Sequence, residues 1–375
     1  IQQRGHPVWA EIDLEAVRHN IRELQKAAAG AEVMGVVKGY AYGHGNPATA
    51  RAMLQGGATR LGVARVAEGL HLRESQITAP IHVFTEPPEQ AVELLVQHDL
   101  TPTVYTETFA RALSECAVAA GRVVPVHVKL DTGMHRVGLM ARDVSDAIAT
   151  LRSLPGIEIE GVWSHLAVAD VHDHPFTRKQ LELFDELLGQ IARTGLQVRY
   201  RHIANSAAAL TIPESHYDIV RCGIASYGLT PGEGLVFDAQ LHPAMALRAR
   251  VTMVKRVAAG ERLSYGLRYE LPQPGNVITV PAGYADGYDR RLSNNADVLL
   301  DGHRHHVSGT VCMDQFMVDI GDASAEIGDV VTLVGRDGSD AITAEELAAN
   351  VGTINYEITS RVPSRVPRVY LGEQP

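Results

Sequence analysis

The sequence predicts an α/β fold, in which an N-terminal (β/α)8 barrel of the TIM type precedes a mostly antiparallel β domain. Over about the first 230 residues, short apolar runs alternate with amphipathic stretches, as expected of parallel strands joined by helices. After Pro231 the segments are short, rich in Val, Ile and Thr, and separated by turn residues. A chain of 375 residues is also longer than most single hydrophobic cores support, which indicates about two domains.

Eight apolar runs in the first part have the length and composition of strands, and a helix-like stretch follows each in the repeating pattern of a barrel. The predicted strands are Val33–Val37, Leu61–Ala64, Ile81–Phe84, Pro102–Tyr105, Val124–Leu130, Ile157–Ser164, Arg199–Ile203 and Ile219–Arg221. The helix-like stretches include Pro47–Gln55, Val66–Arg73, Glu89–His98, Thr106–Ala120, Val144–Leu151 and Arg178–Arg193. In this fold functional side chains gather at the C-terminal ends of the strands, where Lys38, His165 and Arg221 are predicted to lie.

The second part is predicted to be a β domain with one helix. The helix, Ala344–Asn350, has Thr343 as its predicted N-cap. We place the boundary near residue 240, so that residues 1–240 form the barrel and residues 241–375 form the β domain. Residues 1–12 are candidates for pairing with the second domain. The predicted strands include Val251–Val257, Val277–Val280, Asp297–Leu300, His305–Val311 and Val330–Val334.

Composition narrows the class of protein. The formal charge of −10 argues against a nucleic-acid-binding protein, which would carry a basic face. No apolar run reaches the ~20 residues of a membrane-spanning helix, and the N-terminus has no apolar signal region. The three cysteines, Cys116, Cys222 and Cys312, show no paired spacing, as in a reduced cytoplasmic protein. The chain begins at Ile1 rather than Met, which leaves open whether residues are missing upstream.

Lys38 ends the apolar, β-branched run Val33–Val37 and is followed by the segment Gly39–Gly45, with the sequence Gly-Tyr-Ala-Tyr-Gly-His-Gly. Burying an ammonium group is costly unless its charge is lost or paired. A desolvated amine of lowered pKa is suited to attack a carbonyl and form a Schiff base. Lys38 is therefore either a reactive amine or a solvated residue at the end of a strand.

Further motifs follow along the chain, and in their order they carry a family resemblance. They are Lys129–Gly138, His202–Ala208, Val220–Ile224, Ser264–Gly266, Gly283–Gly287, Cys312–Gln315, Asn355–Glu357 and Arg365–Arg368. Together with the segment around Lys38, these motifs are similar to those of the alanine racemases, which carry pyridoxal 5′-phosphate (PLP). The resemblance spans nearly the whole chain and implies an amino-acid racemase with PLP as its cofactor.

The resemblance assigns cofactor-binding roles to residues of several motifs. Lys38 would form the Schiff base with PLP, and Arg136 would bond the phenolic oxygen of PLP and help to hold the substrate carboxylate. A helix N-terminus at Asn205-Ser206 is compatible with binding the phosphate, since such termini bind anions. The phosphate-binding residues would be Tyr42, Ser206, Gly223, Ile224 and Tyr356.

Arg221 would face the pyridine nitrogen of PLP, with His165 packed against Arg221 or bonded to it. Many PLP enzymes place a carboxylate there, which stabilises the protonated ring and makes it a strong electron sink. An arginine cannot accept a proton and would keep that nitrogen neutral. A weaker sink suits a racemase, which must return the proton quickly and avoid transamination. Without the resemblance, Arg221 is interpreted as a surface charge and His165 as an ordinary core histidine.

Racemisation needs two bases on opposite faces of the α-carbon. The resemblance assigns them to Lys38 and Tyr265, and it places Tyr265 in the active site of the partner subunit of a homodimer. A tyrosine of pKa about 10 is a poor base at neutral pH, so a cation or hydrogen-bond network would have to assist it. From the same chain as Tyr265, the residues Met313, Asp314 and Tyr284 would frame the substrate carboxylate.

Lys129 matches a lysine that is often carbamylated in the family, and a carbamate would give Arg136 an anionic partner. The unmodified lysine is the open alternative. The chain departs from the family pattern at Gly39-Tyr40, Cys222 and Thr310. These departures remove no catalytic group and bear on substrate access and breadth.

Two histidine clusters, at 172–174 and 303–306, invite a metal-site interpretation. Metal ligands are usually held by rigid elements and supported by further partners. Both clusters fall in predicted loops or turns. We therefore expect solvated surface and no metal site.

The sequence predicts interconversion of L- and D-alanine, which would supply D-alanine for peptidoglycan, with a small amino acid as substrate and neither nucleic acid nor membrane as partner. A serine or broad-spectrum racemase of the same fold is the alternative, although the phenol of Tyr356 would crowd side chains longer than a methyl group. A barrel-type decarboxylase would carry a carboxylate in place of Arg221. A non-catalytic PLP-carrier protein would lack the β domain and, with it, Tyr265.

Overall fold

The computed structural model describes residues 5–372, which form two compact units. One unit comprises Ala16–Ala41 and Asn46–His242, and the other comprises the chain up to Glu15, Tyr42–Gly45 and the chain from Pro243. We propose that these units correspond to the predicted domains of residues 1–240 and 241–375. Of the predicted pairing segment 1–12, residues 1–4 lie outside the described residues.

The first unit contains an eight-stranded parallel barrel, which confirms the predicted fold class. Strand β1 (Val8–Asp13) belongs to the other unit, and the barrel strands follow it in chain order. Their spatial order is β8-β7-β6-β5-β4-β3-β2-β9. Two backbone hydrogen bonds, from Asp218 to Arg201 and from Arg221 to Ala204, bring the two edge strands together. The strands are β2 (Glu32–Val36), β3 (Arg60–Val63), β4 (Ile81–Val83), β5 (Thr101–Val104), β6 (Val124–Lys129), β7 (Ile157–Trp163), β8 (Tyr200–His202) and β9 (Ile219–Cys222).

Helices separate these strands, as the alternation predicts. The predicted helix Glu89–His98 is divided into a 3₁₀ turn, Glu89–Ala91, and a short α-helix. The helix Leu14–Ala27, which precedes the first barrel strand, was not among the predicted helices. The helices are α1 (Leu14–Ala27), α2 (Lys38–Tyr42), α3 (Asn46–Gly56), α4 (Val66–Glu74), α5 (Val92–Gln97), α6 (Glu107–Ala119), α7 (Val144–Ser153), α8 (Pro175–Arg193) and α9 (Ser206–Thr211).

The second unit is built mainly from antiparallel sheets, also as predicted. Its largest sheet has the order β16-β15-β18-β10-β1-β20, with β19 paired to β18, and its β1–β20 pair is parallel. Strands β11, β14 and β17 form a second sheet, and β12 pairs with β13. The strands are β10 (Met245–Arg250), β11 (Met253–Val257), β12 (Arg262–Leu263), β13 (Tyr269–Glu270), β14 (Gly275–Val280), β15 (Asp297–Leu300), β16 (His303–His306), β17 (Phe316–Gly321), β18 (Val330–Asp337), β19 (Asp340–Ile342) and β20 (Arg368–Leu371).

Two predicted strands of this unit differ from the structure. The segment Val251–Val257 begins as a connection, because β10 ends at Arg250 and β11 starts at Met253. The segment His305–Val311 leaves its strand at His306. The predicted helix is present as α10 (Ala344–Val351), and a second short helix, α11 (Asn355–Ser360), follows it.

The N-cap of α10 is the predicted Thr343, whose Oγ1 accepts the Glu346 N–H at 3.0 Å. Across residues 5–372, no helix combines the length and the apolar character needed to cross a membrane.

Candidate active site

The C-terminal ends of the barrel strands carry the basic side chains that were predicted to be functional. Lys38 lies two residues after β2, Lys129 is the last residue of β6, and Arg221 is the penultimate residue of β9. His165 lies two residues after β7. Because the carboxyl ends of parallel barrel strands open on one face, these four side chains belong to the same mouth of the barrel.

The segment α2 is not a regular right-handed helix, because the four residues after Lys38 form a left-handed turn. Gly39, Tyr40, Ala41 and Tyr42 have φ angles of 63°, 56°, 54° and 52°. For residues other than glycine, the left-handed conformation costs roughly 1–2 kcal/mol each. Neighbouring groups must therefore hold this turn in place.

Glu68, in the first turn of α4, holds the beginning of the left-handed turn. Its Oε1 accepts the backbone N–H of Gly39 at 2.7 Å, and its Oε2 accepts the N–H groups of Ala64 and Arg65 at 2.8 and 3.0 Å. One carboxylate thus ties the residue after Lys38 to the end of β3 and the start of α4. In the sequence, the only signal of this role is an acidic residue at the third position of a helix.

The environment of the Lys38 amine disfavours its charged form. Burial is the largest effect that lowers the pKa of Lys38, the guanidinium groups of Arg136 and Arg221 lower it further, and Glu68 acts in the opposite direction. Within residues 5–372, no hydrogen bond or ion pair engages the Lys38 Nζ. An amine of this kind is suited to attack a carbonyl carbon.

Arg221 is a buried cation whose hydrogen-bond partners are all neutral. Its guanidinium donates to the carbonyl oxygens of Ser164 and Ile203 at 2.9 and 3.0 Å. It also contacts Nδ1 of His165 at 2.9 Å and Nδ1 of His202 at 3.1 Å. No carboxylate in the described part of the chain pairs with it, and burial lowers the pKa of Arg221 to about 9. The predicted contact between His165 and Arg221 is present.

Lys129 is buried beside the same arginine. Its Nζ donates to the carbonyl oxygen of Leu130 at 3.0 Å and lies 4.6 Å from the ring centroid of Trp163. Burial lowers the pKa of Lys129 to about 7, and Arg221 contributes in the same direction. A substantial fraction of this amine is therefore neutral at neutral pH, which is the form that reacts with carbon dioxide.

Backbone N–H groups converge on Ser206 at the start of α9. The N–H of Gly223 is 2.9 Å from the Ser206 Oγ, and the N–H of Ala225 is 3.4 Å from it. Asn205 is the N-cap of α9, because its Oδ1 accepts the N–H of Ala208 at 3.1 Å. Ile224, the next residue after Gly223, is fully buried. This cluster of donors is suited to hold an anionic group.

Arg136 lies in the loop after β6 and is exposed in the single chain. The Asp131 carboxylate shapes this loop by accepting the N–H groups of Gly133 and His135 at 2.9 and 3.0 Å. Arg136 is near enough to lower the pKa values of Lys38 and Lys129. The loop therefore directs one more positive charge to the barrel mouth.

Tyr265, in the β-rich unit, has an exposed phenol on a constrained backbone; its exposed fraction is 74%. The preceding residue, Ser264, has a φ of 65°, an unfavourable value for a residue other than glycine. Two side chains fix this bend: Ser264 Oγ donates to the Thr310 carbonyl, and Thr310 Oγ1 donates to the Tyr265 carbonyl, both at 2.7 Å. Thr310, one of the departures from the family pattern, thus supports the backbone of Tyr265.

The structure brings together Tyr284, Met313 and Asp314 in the same unit. The N–H of Tyr284 donates to the carbonyl of Cys312, and the N–H of Ala285 donates to that of Met313. At Gly283 a Cβ would lie 2.3 Å from both of these carbonyl oxygens, so only glycine allows the approach. Asp314 pairs with Arg365 at 2.8 Å, and Arg365 also reaches the buried Asp286 at 3.0 Å.

Tyr42 and Tyr356 also lie together in this unit, with ring centroids 6.1 Å apart. Burial raises the pKa of Tyr42, which keeps its phenol protonated. The glycine after it is required, because a Cβ at Gly43 would lie 2.0 Å from the carbonyl oxygen of Thr359. Arg368, in the C-terminal motif, donates to the Gly43 carbonyl from both Nε and Nη2.

The histidine clusters at 172–174 and 303–306 have structural partners. His174 caps α8, because its Nδ1 accepts the Phe176 N–H at 3.2 Å. The cluster at 303–306 was predicted to lie in a loop or turn, but it forms strand β16, because it pairs with β15. His306 pairs with Asp297 of that strand at 3.0 Å. Sequence reasoning missed a different group, His82, His127 and His202, whose ring nitrogens lie within 4.8 Å of one another in the barrel core. These residues come from three different strands, so no local pattern reveals them.

Fold and site together describe a (β/α)8 barrel with a cluster of basic side chains at one mouth, and comparison with known proteins identifies its family. A model described as the alanine racemase N-terminal domain matches residues 12–231, and one described as the C-terminal domain matches residues 244–370. The chain therefore belongs to the alanine racemase family and is an amino-acid racemase, an isomerase.

Individual relatives agree with the family models. The alanine racemase of Carboxydothermus hydrogenoformans is 43% identical over 97% of this chain and 100% of its own length. The crystal structure of the alanine racemase from the D-cycloserine producing Streptomyces lavendulae has a TM-score of 0.94 and 41% identity, covering 99% of this chain and 98% of that one. A histidine racemase from Leuconostoc mesenteroides has a TM-score of 0.91 and 28% identity, and the match covers 98% of this chain and 99% of that one.

The role of Glu68 can be tested by replacing it with Gln, which removes the charge and one acceptor. Hydrogen bonds to charged groups contribute about 1.5–3 kcal/mol, so amide exchange at Gly39 should accelerate about tenfold or more. Hydrogen exchange measured by mass spectrometry on overlapping peptides that begin several residues before Gly39 would detect this. Glu74→Gln, at the exposed end of the same helix, is the control. Equal exchange in the two variants would show that Glu68 does not hold the turn.

Proposed function

We propose that this protein interconverts L- and D-alanine with PLP held covalently by Lys38. The observation that carries the proposal is that the environment of the Lys38 amine favours its neutral form. Arg221, at the same barrel mouth, has no carboxylate partner among the described residues. When bound, PLP supplies an electron sink that acidifies the α-hydrogen of an attached amino acid.

The donor set fits PLP at three points. The Lys38 amine suits the aldehyde carbon, and the Ser206–Gly223 cluster suits the phosphate. The Nε–H of Arg221 has no hydrogen-bond partner among the described residues, so it can donate to an acceptor such as the pyridine nitrogen. Ile224, Tyr42 and Tyr356 are proposed as further phosphate-binding residues.

Arg221 is proposed to hold the cofactor ring without protonating it. Its guanidinium is a donor only, and four neutral acceptors fix its plane. His165 stays neutral, because burial and then Arg221 lower its pKa well below its usual range. Neither residue can deliver a proton to the ring readily, which favours return of the α-proton over transamination.

Lys38 and Tyr265 are the proposed bases. The Lys38 Nζ takes the α-proton from the D-enantiomer and returns a proton to the same face of the α-carbon. The Tyr265 phenol serves the opposite face and takes the proton from the L-enantiomer. The need for two bases follows from the requirement for one proton acceptor on each face.

We propose a homodimer in which Tyr265 of one subunit completes the active site of the other. The exposed phenol of Tyr265 on a fixed backbone supports this assembly, because the group is held for a contact that its own unit does not provide. Tyr284, Met313 and Asp314 would frame the substrate carboxylate from the same chain as Tyr265, and Arg136 would help to hold it. The neutral amine of Lys129 favours a carbamate, which would give Arg136 an anionic partner.

Alanine is the proposed substrate, and D-alanine for peptidoglycan, formed in the cytoplasm, is the proposed product. Full-length relatives at 43% identity are named alanine racemases, whereas the relative named histidine racemase is 28% identical. The fold therefore accepts more than one side chain. Discrimination against larger substrates is assigned to Tyr356.

Exchange in D₂O tests the reaction and the two bases together. The wild-type protein should incorporate deuterium at the α-carbon of both alanine enantiomers and equilibrate them on chiral chromatography. Tyr265→Phe should still exchange D-alanine with retention, while exchange of L-alanine should fall at least about a hundredfold, as expected for loss of a general base. Tyr269→Phe, a nearby phenol in the same unit, is the control. Fast exchange of L-alanine by Tyr265→Phe would remove Tyr265 from the mechanism.

Subunit complementation tests the shared site. Lys38→Ala and Tyr265→Ala homodimers should both be inactive. After statistical exchange, half of the dimers are mixed, and each carries one intact site and one doubly altered site, so activity should return to about a quarter of the wild-type value. If exchange is proven by mass spectrometry and activity does not return, both bases belong to one chain.

A further inference from the structure

We propose that Glu160, on the side of the barrel away from the catalytic mouth, is a positioning residue for Arg221 and acts on it through His127 and His202. The inference takes from the proposed function only the role of Arg221. The hydrogen-bond chain itself can be tested without reference to catalysis.

The four side chains form a continuous chain through the barrel interior. Arg221 Nη1 is 3.1 Å from His202 Nδ1, His202 Nε2 is 2.7 Å from His127 Nδ1, and His127 Nε2 is 3.0 Å from Glu160 Oε2. The two histidines are completely buried, and Arg221 is 4% exposed. Each contact lies within ordinary hydrogen-bond distance, and no water is needed to join them.

The chemistry of the two ends fixes the direction of the chain. Arg221 can only donate, so His202 Nδ1 must accept and the hydrogen of the neutral imidazole must be on Nε2. His202 then donates to His127 Nδ1, which places the hydrogen of His127 on Nε2, facing the Glu160 carboxylate. Both imidazoles are neutral, because burial lowers the pKa of each. One tautomer of each histidine therefore satisfies every contact.

Glu160 ends the chain as an ionised carboxylate. Its neighbours are Arg60, the first residue of β3, and Arg199, which precedes β8, each with a guanidinium nitrogen 3.8 Å from a carboxylate oxygen. Burial acts to raise the pKa of Glu160, but the bond from His127 and the two arginines outweigh it and lower that pKa. Since both arginines lie at the N-terminal ends of their strands, the chain joins the two mouths of the barrel.

The Glu160 carboxylate is therefore a counter-charge for Arg221 that acts without contacting it. Hydrogen bonds in a chain polarise one another, and an ionised acceptor at one end makes the next acceptor stronger. The charge of Glu160 thus strengthens His202 as an acceptor and helps to hold the plane of the Arg221 guanidinium. The side of Arg221 that would face the pyridine nitrogen remains without a carboxylate. A carboxylate in direct contact with Arg221 would weaken its hydrogen bond to the ring.

A metal ion is the competing explanation for the three clustered histidines. It would have to replace the 2.7 Å hydrogen bond between His127 and His202 and sit beside the Arg221 charge. His82 has a bond of its own, from Nε2 to Thr103 at 2.9 Å, and its Nδ1 has no partner in the described structure. The contacts favour the hydrogen-bond chain, and metal content is measured in the test.

Two-bond ¹H–¹⁵N NMR correlation on the ¹⁵N-histidine-labelled holoenzyme tests the chain directly. His127 and His202, assigned by single His→Asn variants, should both be neutral Nε2–H tautomers. A hydrogen on Nδ1 of either residue, an imidazolium signal, or one equivalent of zinc in the purified protein would overturn the proposal.

Kinetics of charge-deletion variants test the effect on Arg221. Glu160→Gln keeps an acceptor for His127 but removes the charge, so kcat should fall about tenfold, the difference between a charged and a neutral hydrogen bond, with KM nearly unchanged. Glu158→Gln, an exposed residue of the same strand, should match the wild type. In a His127→Gln background, Glu160→Gln should have no further effect. Additive effects, or equal kcat in Glu160→Gln and Glu158→Gln, would overturn the positioning role even if racemisation is confirmed.

Discussion

The burial of the Arg221 guanidinium among neutral acceptors is the constraint on which the rest of the site depends. An arginine without a carboxylate partner remains charged at neutral pH, yet its field reaches every amine nearby. It lowers the pKa of both Lys38 and Lys129, and it keeps His165 neutral. Burial is the largest cause of each of these shifts, and the charge of Arg221 acts in the same direction on all three groups.

The barrel supplies what this cation requires. The carbonyl groups of Ser164 and Ile203, which follow β7 and β8, accept hydrogen bonds from the Arg221 guanidinium. Inside the barrel, the imidazoles of His202 and His127 connect Arg221 to Glu160 by hydrogen bonds. In the proposed function, the β-rich unit contributes a different kind of group, a phenol held on a bent backbone by Ser264 and Thr310. Each group is fixed by the fold before any ligand binds, which limits the reorganisation needed for catalysis.

Much of the fold could be predicted from the sequence because its barrel strands are continuous apolar runs. The predicted strand Val33–Val37 and the observed β2 differ by one residue at each end. The prediction followed the apolar run, and the apolar run of a buried strand need not begin and end at the same residues as the strand itself. Strand β20 was not predicted, and β1 was expected only as a pairing of residues 1–12 with the second domain, because these two strands pair with each other from opposite ends of the chain. In the site, lysine and arginine at strand ends gave clear signals. Glu68 gave only the weak signal of an acidic residue in the first turn of a helix, and the clustering of the buried histidines gave none, because their partners are distant in sequence.

The most direct test of this account is the pKa of Lys38 in the cofactor-free protein. The rate at which Lys38 reacts with an acylating reagent, followed from pH 6 to 11 by mass spectrometry against a model lysine peptide, reports that pKa. The account predicts a value clearly below the ~10.4 of the peptide, and a rise toward it in Arg221→Gln, because one nearby positive charge is lost. A wild-type value equal to or above that of the peptide would contradict the claim that the barrel mouth disfavours the charged form of Lys38.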